Sequence, residues 1–246
     1  MNDFFDNKTY LVTGASSGIG RATARNLLQA GASVILVSRN LQGMKETTGT
    51  LNSSQTLCLA CDLAKLNAIA ECVQQAMEWK NAIDGVVYCA GVGGRARLRD
   101  TSFEFLYDRM NVNCFAFVEL VRIIVKLKKK LDSLRVVAIS SLAALGHHRY
   151  LTAYSASKAA LEAAAKTMSV ELYKRNTRIN LVRPAYVDTP MIEDPLDNVK
   201  ELIKEEYQPL GIIAPEEVAN LILFLLGPAS NKINGAIFEL NAGAFD

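Results

Sequence analysis

The chain has 246 residues, half of them hydrophobic and 21% charged, which is the balance of a packed globular protein. A formal charge of +2 gives no electrostatic footprint for nucleic acid or for an anionic membrane surface, and no apolar run is long enough to span a bilayer. The opening MNDFFDNKTY lacks the basic and apolar regions of a secretory signal, so the cytoplasm is the expected location.

The first apolar run, Lys8–Thr13, predicts a strand, and it leads straight into Gly14-Ala15-Ser16-Ser17-Gly18-Ile19-Gly20 and a helix over Gly18–Ala30. Glycines there permit a tight turn and close approach of the backbone to a pyrophosphate. The free N–H groups and dipole of the helix start favour that anion. A glycine turn between a strand and a helix, opening a strand–helix–strand unit, predicts a dinucleotide site on Gly14, Ser16, Ser17, Gly18, Ile19 and Gly20.

A second strand, Ser33–Ser38, ends at Ser38-Arg39, where an NAD site would place Asp or Glu on the ribose hydroxyls. Arg39 is instead placed to meet a 2′-phosphate, with Ser38 as a donor, which points to NADP(H). An exposed surface arginine is the other reading. A helix over Leu41–Leu51 and a strand over Gln55–Ala60 follow. Asp62 either accepts from the adenine amino group or caps the next helix, Ala64–Trp79.

Cys58 and Cys61 have the separation of a metal or redox pair, but no second Cys/His pair completes a zinc site, and TLCLAC reads as a buried strand. Five cysteines suggest no disulfide framework. The only histidines, His147 and His148, lie in a loop with no acidic partner at helical spacing, so no metal is expected.

Further strands are predicted at Ile83–Cys89, Leu134–Ser140, Arg178–Arg183 and Ala236–Leu240, and further helices at Asn111–Leu131, Ala153–Arg175 and Pro215–Leu226. Several strands are continuously hydrophobic, as parallel strands covered on both faces are. The alternation predicts a doubly wound Rossmann α/β fold, a parallel sheet of about seven strands with helices on both faces, as a single domain over residues 1–246. All six prolines fall at or after Pro184, three of them in Asp188–Gly211. That segment is read as a substrate lid, with an ordinary long connection as the alternative.

Tyr154 and Lys158 stand four residues apart near the start of a long helix, so both project from one face. Ser141 ends the preceding strand. A phenol titrates near pH ~10, and a neighbouring ammonium favours the phenolate, bringing the group toward the range of a working acid or base.

With TGASSGIG (13–20), CDLA (61–64), CAG (89–91), NVN (111–113), ISS (139–141), YSASK (154–158), RPAYVDTP (183–190) and NGAIFELNAG (234–243) in this order, the chain resembles the short-chain dehydrogenase/reductase family over nearly its whole length. The resemblance implies a catalytic tetrad of Asn113, Ser141, Tyr154 and Lys158. Ser141 would bond the substrate oxygen, and Tyr154 would give or take its proton. Lys158 would lower the tyrosine's pKa and bind the nicotinamide ribose, and Asn113 would hold a water linking Lys158 to solvent. Thr189 and the backbone of Val187 would anchor the carboxamide. Leu63, Cys89, Ala90, Gly91, Pro184 and Ala185 complete the implied cofactor positions. Two residues depart from the family pattern. Cys89 stands where Asn is usual and Ala185 where Gly is usual, the latter adding a methyl beside the nicotinamide.

PLGIIAPEEVA (209–219) and the C-terminal NAG resemble the 3-oxoacyl reductases, although the arginine common in that segment is Ile212 here. The implied substrate is a carbonyl or alcohol, with a 3-oxoacyl thioester on acyl-carrier protein or CoA as the first choice. Lys128, Lys129 and Lys130, with Lys174 and Arg175, form either a docking patch for an acidic carrier or solvated helix ends. A reductase or dehydrogenase of a free ketone, sugar, steroid or other secondary alcohol, and a non-catalytic nucleotide-binding sensor or scaffold, are the rival readings. The family resemblance also implies a homotetramer, or a homodimer, built on the two long helices and the last strand.

Overall fold

The computed structural model describes residues 4–49, 53–80, 82–128, 133–146, 148–192 and 207–244. Seven strands, β1 (Thr9–Thr13), β2 (Ser33–Ser38), β3 (Thr56–Ala60), β4 (Gly85–Tyr88), β5 (Leu134–Ile139), β6 (Thr177–Pro184) and β7 (Ile237–Leu240), pair in the order β3-β2-β1-β4-β5-β6-β7. Every pairing is parallel. The chain winds outward from β1 in one direction and from β4 in the other. The helix–strand loops therefore part at the C-terminal ends of β1 and β4 and leave a crevice there.

Alternating strand residues feed two cores. Leu11, Ile35, Val37, Val86 and Val136 face one layer, made by α3 (Leu66–Lys80), α5 (Ala116–Leu127) and α6 (Thr152–Leu172). Val12, Val34, Leu36, Val87 and Val137 face the other, made by α1 (Gly18–Gln29), α2 (Leu41–Thr48) and the last helix, Pro215–Leu226. Burial on both faces is why the strands read as unbroken apolar runs. The same alternation separates the C-x-x-C pair. Cys58 packs against the second core and Cys61 belongs to the first, on opposite faces of the sheet.

The predicted strands all form, and the helices differ in instructive ways. The third starts at Leu66 rather than Ala64, because Asp62 and Lys65 close a turn first, with Lys65 N–H donating to Asp62 C=O at 3.0 Å. A helix absent from the expectations, α4 (Phe103–Met110), precedes Asn111. Ser102 caps it, its hydroxyl accepting from Phe105 N–H at 3.1 Å, and a π turn over Asn111–Phe115 carries it into α5. None of α4's residues is buried, so it lacked the core-facing stripe by which the others were found. The last helix, Pro215–Leu226, is therefore α7. The ends of the predicted helices Leu41–Leu51 and Asn111–Leu131, His147, Lys129, Lys130, and residues 193–206 of the expected lid lie outside the described residues.

Phe117 on α5 is fully buried, its ring edge-on to that of Tyr88 with centroids 5.4 Å apart. Phe117→Ala is expected to destabilise the fold by about 3–5 kcal/mol in urea unfolding. A loss below about 1 kcal/mol would mean that α5 does not close the core over β4.

Candidate active site

A cleft of about 820 Å³ opens where the strands end. Gly14 and Ser16–Gly20 line it after β1, Ser38 and Arg39 after β2, Asp62 and Leu63 after β3, and Cys89, Ala90 and Gly91 after β4. Ser141 lines it after β5, Tyr154 and Lys158 from α6, and Pro184, Ala185, Val187 and Thr189 after β6. Among the expected site residues, Asn113 alone stands behind this wall.

The glycine turn is built for close approach. Gly18 has φ +49°, and a Cβ there would sit 2.8 Å from Thr189 Cγ2, so the turn meets the loop after β6 with no room for a side chain. A Cβ on Gly20 would lie 2.4 Å from Gly14 C=O. Beside the turn, Ser38 donates to Ser16 Oγ at 2.8 Å and accepts from Asn40 N–H at 3.2 Å. Arg39 is exposed at the same rim, with no acid at the end of β2. Asp62 Oδ1 accepts from Ala64 N–H at 3.2 Å, a local turn bond in place of the helix cap.

Tyr154, Lys158 and Glu162 form successive rungs on one face of α6. Lys158 is 4% exposed and donates to Ile139 C=O, the last residue of β5, at 2.8 Å. Burial draws its pKa down to about 8, against the opposing pull of Glu162. Burial also holds the Tyr154 phenol above its ordinary value, and a hydrogen bond with Ser141 partly offsets this. Lys158 is not among the groups that shift the Tyr154 phenol. The amine lies 5.8 Å from the ring centroid and is bound to the backbone instead.

The Asn113 side chain has a structural task of its own. Its Oδ1 accepts from Val92 N–H at 2.8 Å, and its Nδ2 donates to Val92 C=O at 3.0 Å and to Ser157 Oγ at 2.8 Å. The side chain is thus consumed in tying the π turn to the loop after β4 and to α6, and only its main chain is left for a water.

Both departures from the family pattern are accommodated. The Cys89 thiol is pushed up to about 12 by burial, against Lys158 and Thr23, so it is protonated at neutral pH and adds no charge beside the amine. Ala185 is not among the residues with positive φ, and its N–H donates to Leu240 C=O at 3.0 Å, so no glycine is needed there.

Several supports were not foreseen. Glu162 accepts from Ser140 Oγ at 2.7 Å and, through both oxygens, from Arg183 Nε at 2.9 Å and Nη2 at 2.7 Å. Gln208, fully buried, accepts from Tyr186 N–H at 2.7 Å and donates to the carbonyls of Tyr186 and Gly211, each at 3.2 Å. It clasps the two roots of the 188–211 segment, which Val187 and Ile213 also bridge. Only the spacing of Glu162 from Lys158 could have pointed to the first, and nothing local marks Gln208.

The basic patch lies elsewhere. Arg175 Nη2 donates to Lys128 C=O at 3.3 Å, and Lys128 Nζ to Ile83 C=O at 2.6 Å, at the edge where the strands begin.

The solved structure of a short-chain dehydrogenase/reductase from Brucella melitensis, described as a glucose/ribitol dehydrogenase, superposes with a TM-score of 0.91 at 28% identity, covering 99% of this chain and 98% of that one. A family model described as enoyl-(acyl carrier protein) reductase matches residues 14–244. The chain is a short-chain dehydrogenase/reductase. A 3-oxoacyl-[acyl-carrier-protein] reductase of Thermotoga maritima is 32% identical over 97% of this chain and 98% of its own length. A 7α-hydroxysteroid dehydrogenase, solved with NADH and 7-oxo glycochenodeoxycholic acid, superposes with a TM-score of 0.92 at 25% identity, over 99% of this chain and 96% of that one. Like the family, the protein is an oxidoreductase of carbonyl and alcohol carbons that uses a nicotinamide cofactor. Among the described residues no helix is long and apolar enough to cross a membrane.

The expected roles, a protonated Tyr154 and a charged Lys158 in carbonyl reduction, carry a pH signature. The phenol, held high, keeps its proton, whereas the amine loses its own near pH 8. The kcat/KM for reduction is therefore expected to fall as pH rises through about 8. Glu162→Gln removes a charge that favours the ammonium and is expected to move that midpoint to lower pH. An unmoved midpoint would separate Glu162 from the titration.

Proposed function

We propose that the protein reduces the ketone of a 3-oxoacyl thioester with NADPH. The carrying observation is the pairing of Tyr154 with Ser141 at the inner end of a nucleotide cleft where the end of β2 offers Arg39 and no acid. The cofactor fits the residues present. The glycine turn leaves its backbone bare for a pyrophosphate, and Arg39 with Ser38 is suited to a 2′-phosphate. Val187 and Thr189 would hold the carboxamide, as Asp62 and Leu63 would the adenine, and NADPH, when bound, supplies the hydride.

The chain's own groups manage the oxygen. Ser141 donates a hydrogen bond to the carbonyl oxygen while Tyr154 delivers the proton. Both hydroxyls are already aimed where negative charge develops, so their stabilisation is greatest in the transition state. Lys158 holds the ribose and favours the phenolate left behind. Asn113 fixes the backbone around it, and its main-chain carbonyl takes the water that relays a proton to Lys158. The thioester is favoured by the relatives named as 3-oxoacyl reductases. Gln208 fixes Gly211 and Tyr186, and Tyr186 lines the cleft.

We further assign the protein to the cytoplasm as a homotetramer. Phe103, Tyr107 and Phe115 form a contiguous exposed aromatic face on α4 and the π turn, and Val170 is exposed on α6. Such a face suits burial against a second copy.

NADPH consumption with a short 3-oxoacyl thioester tests the reading. Tyr154→Phe is expected to lower kcat by about 10²–10⁴-fold with NADPH binding retained. Arg39→Ala is expected to raise the KM for NADPH by about 10–100-fold and leave that for NADH nearly unchanged, as for the loss of a charged hydrogen bond. Undiminished turnover in the first variant, or equal use of both cofactors by the parent, would defeat the respective assignment.

A further inference from the structure

At the edge where the strands begin, opposite the cofactor cleft, the chain folds a second recess of about 500 Å³. Lys8 stands before β1, Arg135 and Arg178 within the first turns of β5 and β6, and Lys232 in the loop before β7. All four line the recess, and Asp84 is its one acid. The Asp84 carboxylate already accepts from Thr9 N–H at 2.8 Å. Among the described residues, none of the four cations is held in an ion pair.

The two guanidinium groups are fixed on one side only. Arg135 Nη2 donates to Asn231 Oδ1, while its Nη1 is buried with no partner. Arg178 donates from Nε to Asn231 C=O at 3.2 Å and from Nη1 to Thr177 C=O at 3.3 Å, which leaves Nη2 for a ligand. Half-buried like charges disfavour one another. Arg135 is drawn below its ordinary pKa by burial and by Arg178, against the pull of Tyr10. Lys8 is drawn down by burial and by Arg135, against the pull of Asp84. An anion between them would offset that repulsion and satisfy the orphaned nitrogen.

We propose that this recess is a binding site for a phosphate monoester carried on a small organic body. Two planar guanidinium groups and two ammonium groups converging from four strand starts suit a tetrahedral dianion better than a flat monovalent carboxylate. Phe4, whose ring carries the Lys8 ammonium 2.9 Å from its centroid, is the apolar part of the wall, and the organic body rests beside it. The volume lies within the range of small-molecule sites, about 300–1,000 Å³. Nothing in this site touches the cofactor cleft, so it stands independently of the reaction assigned above.

The test is the melting temperature of the full chain, saturated with NADP⁺, in sodium phosphate against sodium chloride at matched ionic strength. Phosphate is expected to raise Tm saturably, by about 3–5 °C at ten times its dissociation constant, and phenyl phosphate to do so at lower concentration. Arg178→Gln combined with Lys232→Gln is expected to weaken phosphate binding at least tenfold by calorimetry, with NADPH turnover unchanged. If that pair does not fold, Lys232→Gln alone, on an exposed side chain, must still reduce the rise. An equal rise in chloride, or a rise kept in full by these variants, overturns the proposal. So does a rise abolished by Arg39→Ala alone, which would place the anion in the cofactor cleft.

Discussion

A buried amine at the end of β5 governs the geometry of this site. An ammonium taken out of water costs several kcal/mol unless polar partners replace its hydration. Lys158 finds one in Ile139 C=O and another in the charge of Glu162, one turn further along α6. Glu162 is itself gripped by Ser140 and by both arms of Arg183. The strand that leads into Ser141 and the helix that carries Tyr154 are thereby locked in register. Sliding α6 by a single residue would break the amine's bond and the carboxylate's three together. Tyr154 is placed by the same grip, one turn before Lys158 on the same face.

The direction of the two shifts carries chemical meaning. Burial disfavours both charged forms, so the phenol holds its proton firmly and the ammonium gives up its own more readily. An acid that holds its proton until charge appears on a neighbouring oxygen suits the reducing direction. Cys89 fits this balance. As an uncharged thiol next to Lys158 it neither steadies the ammonium nor competes for its proton at neutral pH.

The parts of this protein that were legible in its sequence are those where one residue type answers a local physical need. Parallel strands covered on both faces tend to be apolar throughout, and several of the seven read that way. A backbone that must approach a phosphate needs glycine, and the turn at 14–20 announces itself. What escaped notice depends on partners distant along the chain. Helix α4 has a capping serine but no buried stripe, because its apolar side chains Phe103 and Tyr107 face outward. Gln208 is a plain polar residue until folding brings Tyr186 and Gly211 to it. Asn113 was found by resemblance, but only the fold shows its amide spent on Val92 and Ser157, which leaves the main chain for the expected water.

Charge shows most sharply where averaging misleads. A formal +2 over 246 residues argues correctly that the whole surface repels neither anions nor cations strongly. It says nothing about how the fold distributes those charges. A parallel sheet has two unlike ends. Its crossovers deliver the residues that follow each strand to one edge and those that precede each strand to the other. Lys8, Arg135, Arg178 and Lys232 are spread over more than two hundred positions, each beside the start of a strand, and no window of sequence gathers them. Topology alone makes them neighbours, and the same topology that assembles a reaction centre at one edge concentrates unneutralised cations at the other.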